Sequence, residues 1–178
     1  YPATNRVVRI IYIDIDTLRA DHLGCGGYHR NTSPNIDTVA SEGINFRNVY
    51  ASDVPCLPSR TALITGMFGI RNGVINHGGR AADLQPEGKD RGFFGRFSMR
   101  SWASVFYLAG WHTASISSFP FRHGASWWNS GFMESMNLMR GFGGERADQV
   151  IPSALDWLER RGKADDWFLH VHLWDPHT

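Results

Sequence analysis

The run from Val7 to Asp16 is apolar, β-branched and of strand length, which places it as a buried strand inside a sheet. Strand alternation sets Asp14 and Asp16 on one face, with Asp16 at the carboxyl end. Beyond Asp16 the chain alternates helix and strand signals. Ser33-Pro34 reads as an N-cap with proline in the first turn, and Gly43 as the stop. Ile44–Ala51 reads as another strand. Pro58 and the apolar stretch to Leu63 and Ile64 predict a loop opening into a helix that Gly66 ends. Residues 66–97, rich in Gly and Arg with weak periodicity, read as long surface loops. Trp102–Ala109 is helical in pattern and Thr113–Ser117 strand-like. Ala147, Val150, Ile151, Ala154, Leu155 and Leu158 keep helical spacing, with Pro152 as a kink or the true start. Trp167–Trp174 is the last strand. The alternation defines an α/β fold with a largely parallel sheet flanked by helices.

With 178 residues, 42% of them hydrophobic and 20% charged, the chain has the composition of one soluble domain with a real core. Its 18 basic and 17 acidic residues leave a net charge of +1, which suggests neither a nucleic-acid groove nor an anionic membrane surface. No apolar run is long enough to span a bilayer. No charged-then-apolar leader opens the sequence, but it starts at Tyr1, so a cytoplasmic protein and an exported one with its leader removed both fit. Two cysteines, Cys25 and Cys56, make no disulfide framework. A single bridge between them is the other option, and the surroundings of Cys56 favour chemistry instead. The chain stops at Asp175-Pro176-His177-Thr178, just past a strand, and reads as the N-terminal portion of a larger domain.

The informative stretch is Cys56-Leu57-Pro58-Ser59-Arg60-Thr61-Ala62-Leu63-Ile64-Thr65-Gly66. It resembles the signature of the type I sulfatases, Cys-x-Pro-Ser-Arg followed by x-x-Leu-x-Thr-Gly, with many fixed positions at fixed spacing. The resemblance implies an alkaline-phosphatase-like sandwich and hydrolysis of sulfate monoesters. It also implies that a formylglycine-generating enzyme oxidises Cys56 to formylglycine. A hydrated aldehyde carries two hydroxyls on one carbon, one to attack sulfur and one to expel sulfate afterwards. A divalent cation, Ca²⁺ or Mg²⁺, would lower the hydroxyl pKa and neutralise developing charge. Arg60, four residues on at helical spacing, offers a fork of donors to the same anion. A surface arginine at a helix start would instead be disfavoured by the helix dipole.

Ile13-Asp14-Ile15-Asp16-Thr17-Leu18-Arg19-Ala20-Asp21-His22-Leu23-Gly24-Cys25 resembles the first-strand segment of the same family, which delivers metal carboxylates at its end. Asp16 is thereby the metal ligand, with the converted Cys56 beside it. Many members carry two adjacent aspartates here, whereas this chain has Asp16-Thr17. Thr17, Asp14 or water completes the shell, and Asp14 fits equally well as a hydrogen-bonded buried carboxylate. His172-Leu173-Trp174-Asp175-Pro176-His177-Thr178 resembles the family's Asp-Pro-His-x-Pro strand end, which gives His177 the part of general acid or anion donor. His170 and His172 read as core or supporting groups rather than a metal pair.

The family's Gly-Lys-x-His segment is missing. In its place stands Ser118-Phe119-Pro120-Phe121-Arg122-His123, so Arg122 and His123 are the candidates for substrate contacts, with Trp127 and Trp128 as a sugar-binding wall or simple packing. The resemblance covers residues 7–25, 33–78, 102–117 and 145–178. It implies further metal ligands and a catalytic lysine downstream of Thr178 and a small sulfated sugar or aryl substrate, while the charge balance and the lack of a spanning apolar run lead to the expectation of no nucleic-acid or membrane partner. A phosphonate monoester or phosphodiester hydrolase of the same superfamily is the nearest alternative. A non-catalytic relative with unconverted Cys56 is another.

Overall fold

The computed structural model describes residues 7–85, 101–138 and 144–177. Four strands, β1 (Arg9–Ile15), β2 (His112–Ile116), β3 (Glu134–Met136) and β4 (Trp167–Leu173), form one sheet in the order β1-β4-β2-β3. Every pairing is parallel. The last strand in sequence therefore lies between the first and the second.

Helices connect the strands. Between β1 and β2 come α1 (Pro34–Glu42), α2 (Cys56–Thr65), the short α3 (Gly69–Asn72) and α4 (Trp102–Leu108). α5 (Phe119–Arg122) follows β2, and α6 (Ala147–Arg161) leads into β4. Ser101 caps α4 by accepting the Ser104 N–H at 3.1 Å. Ser33 precedes α1 but does not cap it: its hydroxyl accepts the Gly24 N–H at 2.9 Å and donates to Asp37 at 3.0 Å, binding α1 to the turn after β1. α2 stops at Gly66, whose left-handed φ of 64° lets its N–H return to the Ala62 carbonyl.

The two sheet faces carry different contents. Ala114, Ile116, Leu169 and Val171 meet Val150, Ala154 and Trp157 of α6 on one side. On the other, Leu57 and Ile64 of α2 gather with Val74, Phe119, Ala125, Trp128 and Trp174. α6 spans β2 and β4 but leaves β1 bare, so Ile11 and Ile13 are 47% and 56% exposed. Pro152 does not start α6, which runs from Ala147 to Arg161 with the proline inside it. Proline removes only one backbone donor there, and the apolar stripe holds the rest of the helix.

One expected strand is absent. Residues 44–51 are irregular, with Ile44 81% exposed and Phe46 74% exposed. Their alternation is strand-like, but no strand lies beside them among the described residues, and a strand needs a ladder. Of the stretch 66–97 read as loops, 66–85 includes α3 and a single 3₁₀ turn at Gly79–Ala82, and residues 86–97 lie outside the described residues. β3 and α5, three and four residues long, are too short for periodicity to register.

His170 is buried under the site face of the sheet, its Nδ1 2.9 Å from the Ser115 hydroxyl and its ring near Tyr12, Trp102, Trp128 and Phe132. Burial pushes its pKa from 6.5 down to about 3. The folded state thus keeps the ring neutral where the unfolded chain would protonate it, so stability falls as pH drops from about 6.5 towards 3. His170→Phe is expected to flatten that part of the stability–pH curve by about one proton, measured by urea unfolding of the full-length protein between pH 4 and 7. An unchanged slope would place the acid sensitivity elsewhere.

Candidate active site

Asp16 comes directly after β1, and its N–H extends the ladder to the Leu173 carbonyl at 2.9 Å. Its side chain is almost wholly buried. Asp14 points to the same face and lies in register with His172 of β4. Two carboxylates at one strand end need a cation close by, and α2 brings it. Arg60 donates from Nε to Asp14 Oδ2 at 2.5 Å and from Nη2 to Oδ1 at 2.9 Å, while Nη1 stands 3.5 Å from Asp16 Oδ2. Its guanidinium also lies 4.8 Å over the Phe119 ring. Burial opposes the Arg60 charge, but the bonds and charge of Asp14, then that of Asp16, outweigh it and raise its pKa.

This pairing fixes the start of α2. Cys56 is its first residue, and the thiol Sγ is 3.5 Å from Asp16 Oδ1. Burial and then the Asp16 charge raise the thiol pKa, so Cys56 is the opposite of an activated thiolate. For Asp16, burial alone would raise the pKa, but His172, Arg60 and Cys56 together bring it below the usual carboxylate value. Cys25 and Cys56 are both free thiols.

His177 completes the cluster. Ligating atoms of Asp16, Cys56 and His177 all lie within 4.8 Å of one another. The His177 ring stacks on Trp174 at 4.4 Å, and Arg122 sets its guanidinium 4.1 Å over the same indole. Arg122 pairs with no carboxylate among the described residues. His123 packs on Phe119 and against His77, and burial, then His77 and Arg122, lower its pKa to about 4. Its Nε2 is buried without a hydrogen-bond partner among the described residues.

The sequence candidates therefore divide. Asp16, Cys56 and His177 meet directly, Arg60 lies beneath them, and Arg122 and His123 stand at the rim. Both Asp14 oxygens are engaged by Arg60. Thr17, directly after Asp16, is exposed, with a left-handed φ of 53°. Trp128 is 2% exposed in the core, and Trp127 packs beside it. Sequence reasoning misses His77: its Nε2 accepts the Leu57 N–H at 3.3 Å, next to Cys56. It comes from a Gly-rich stretch with no periodicity, and only the position of a histidine close behind the signature could have marked it.

The donor set can be tested against a hard divalent cation. The Asp16 carboxylate is almost wholly buried, with Oδ1 beside position 56, and a buried anion of this kind is one that a cation would offset. Asp16 supplies the kind of oxygen that Ca²⁺ or Mg²⁺ takes six or more of, so it fits as part of a larger set, while the Cys56 thiol as it stands is a soft donor that does not suit such a cation.

A parallel sheet that gathers a carboxylate, a cysteine at a helix start and a buried arginine beyond its carboxyl edge defines an α/β protein with its polar cluster at the strand ends, where such sheets place their sites. Residues 9–178 match the family profile described as Sulfatase, and the chain belongs to that family. Among curated relatives, the uncharacterized sulfatase YidJ of Escherichia coli is 24% identical over 194 aligned positions, covering 94% of this chain and 38% of that protein. Human N-acetylgalactosamine-6-sulfatase is 29% identical over 156, covering 83% of this chain and 29% of that protein. The arylsulfatase of Clostridium perfringens is 33% identical over 107, covering 60% of this chain and 20% of that protein. The chain thus spans well under half of the relatives it matches. Among solved structures, BT4656 in complex with its substrate D-glucosamine-2-N,6-O-disulfate superposes with a TM-score of 0.74 at 22% identity, covering 97% of this chain and 35% of that one. The phosphonate monoester hydrolase of Agrobacterium radiobacter gives 0.68 at 17% identity, covering 94% and 41%. The fold is the alkaline-phosphatase-like α/β arrangement.

Asp14→Asn is expected to lower stability by about 3 kcal/mol, because it leaves a buried Arg60 without its paired anion. Denaturant unfolding at pH 7 measures this. A loss below about 1 kcal/mol would mean that Asp16 alone suffices to hold Arg60.

Proposed function

We propose that the protein hydrolyses sulfate monoesters through a formylglycine made from Cys56. The observation that carries this reading is the Cys56 thiol, 3.5 Å from Asp16 at the first turn of α2 and inside Cys-Leu-Pro-Ser-Arg. As a thiol beside a carboxylate, Cys56 is a poor nucleophile, which favours its conversion to another group. The aldehyde hydrate supplies one hydroxyl to attack sulfur and a second whose deprotonation expels sulfate. A divalent cation would be held by Asp16 and the converted residue 56, with further ligands from outside these residues; it would acidify the hydroxyl and offset negative charge.

The remaining steps belong to the side chains. His177 delivers a proton to the ester oxygen as the S–O bond breaks, and its stacking on Trp174 aims the ring. Two of the five Arg60 N–H donors, from Nε and Nη2, are spent on Asp14, and Nη1 lies on the Asp16 side, towards the reacting group. Arg122, with no carboxylate partner among the described residues, attracts the anion, and the neutral His77 and His123 offer hydrogen bonds around it. The net reaction consumes water and releases alcohol and hydrogen sulfate.

The substrate is a small sulfated sugar or an aryl sulfate. A sulfated sugar is the substrate of the structurally similar BT4656. An anion-plus-cation site also accommodates phosphorus esters, so phosphonate monoester or phosphodiester hydrolysis is the second reading. Intact mass of the full-length protein should fall by about 18 Da on conversion of Cys56. Aryl sulfate turnover should be lost in Asp16→Ala, together with most of the cation affinity. The 178 residues assayed alone should show no turnover, since most cation ligands would be missing. An unmodified mass without sulfatase activity would select the non-catalytic reading, and faster turnover of phenyl phosphonates would select the second.

A further inference from the structure

A buried imidazole behind Asp16 has no part in the hydrolysis itself. His172 of β4 is 3% exposed, and its Nε2 has no hydrogen-bond partner among the described residues. Asp16 Oδ2 is in the same condition, and the two atoms face each other at 3.7 Å. Each buried polar atom left unsatisfied costs about 1–3 kcal/mol. Two of them aimed at one another, about half an ångström beyond hydrogen-bond reach, mark a bond that closes with a small turn of the carboxylate.

The neighbours show why the carboxylate is the part that turns. The His172 ring is wedged near Phe119 at 5.1 Å and Trp174 at 5.9 Å. Arg60, the other group beside Oδ2, is anchored by its two bonds to Asp14 and reaches Asp16 only at 3.5 Å. Oδ1 faces Cys56. Rotation about the Asp16 Cβ–Cγ bond is therefore restrained on the Oδ2 side by whatever His172 provides.

We propose that His172 is a positioning residue for Asp16. Its Nε2–H donates to Oδ2 and fixes the plane of the carboxylate, so that Oδ1 stays aimed at residue 56, where a cation would be held. This rests on Asp16 being a cation ligand. A partner behind a metal ligand sets ligand orientation, and its removal typically weakens metal affinity about 10- to 100-fold.

The test separates the donor from the packing. Ca²⁺ and Mg²⁺ are titrated by calorimetry into full-length wild type, His172→Phe, His172→Gln and Asp16→Ala, with unfolding curves of the cation-free proteins alongside. His172→Phe keeps an aromatic ring but lacks the donor, and His172→Gln places an amide N–H near the Nε2 position. His172→Phe is expected to weaken affinity about 10- to 100-fold, with His172→Gln recovering most of that loss. Cation-free stability should not follow this order. Wild-type affinity in His172→Phe, with binding lost in Asp16→Ala, overturns the proposal for His172 alone. Wild-type affinity in Asp16→Ala overturns both it and the assignment of Asp16.

Discussion

Two aspartates on one face of a strand, Asp14 and Asp16, cannot both be buried as anions without a cation among them. Arg60 meets that need, and the rest of the site is set by where Arg60 must stand. Its fork closes on Asp14 with two bonds while the third nitrogen faces Asp16. Arg60 is carried one helical turn after Cys56, so anchoring the guanidinium over the strand end also anchors the helix start. The thiol then arrives beside Asp16 without any contact of its own strong enough to bring it there.

Around that anchor the charges are unevenly spread. Arg60 is neutralised by its own carboxylates, and His123 stays uncharged at neutral pH because burial lowers its pKa to about 4. Burial lowers His77 as well. Among the described residues, Arg122 brings a full positive charge to the rim, held over Trp174 rather than by an acid. An arginine stacked on an aromatic ring keeps its donors free for an incoming anion.

Much of this is legible in the chain. The first and last strands, α2 and its glycine stop, and the meeting of Asp16, Cys56 and His177 come from patterns that are local: β-branched runs, a dense signature, a strand-end motif. The failures share a different cause. Residues 44–51 have the alternation of a strand, but pairing is a property of neighbours and no alternation supplies one. The fork of Arg60 onto Asp14 rather than outward depends on helix orientation over the sheet, which local spacing does not encode. His77 lies in a Gly-rich stretch where period carries no information, and its place beside Leu57 is settled only by tertiary folding.

The strand order has a consequence for the history of the molecule. β1 pairs with β4 and with no other strand among the described residues, from Arg9 against Trp167 to Ile15 against Leu173. During synthesis β1 leaves the ribosome well before β4 exists, and their pairing waits for more than a hundred residues to be made. Such distant pairing is entropically slow, and an unpaired apolar strand is open to mispairing in the interval. The aspartates at its end, Arg60 and the aromatic groups of β4 come into register in one late event, so the meeting of Asp16, Cys56 and His177 is tied to the pairing of β1 with β4.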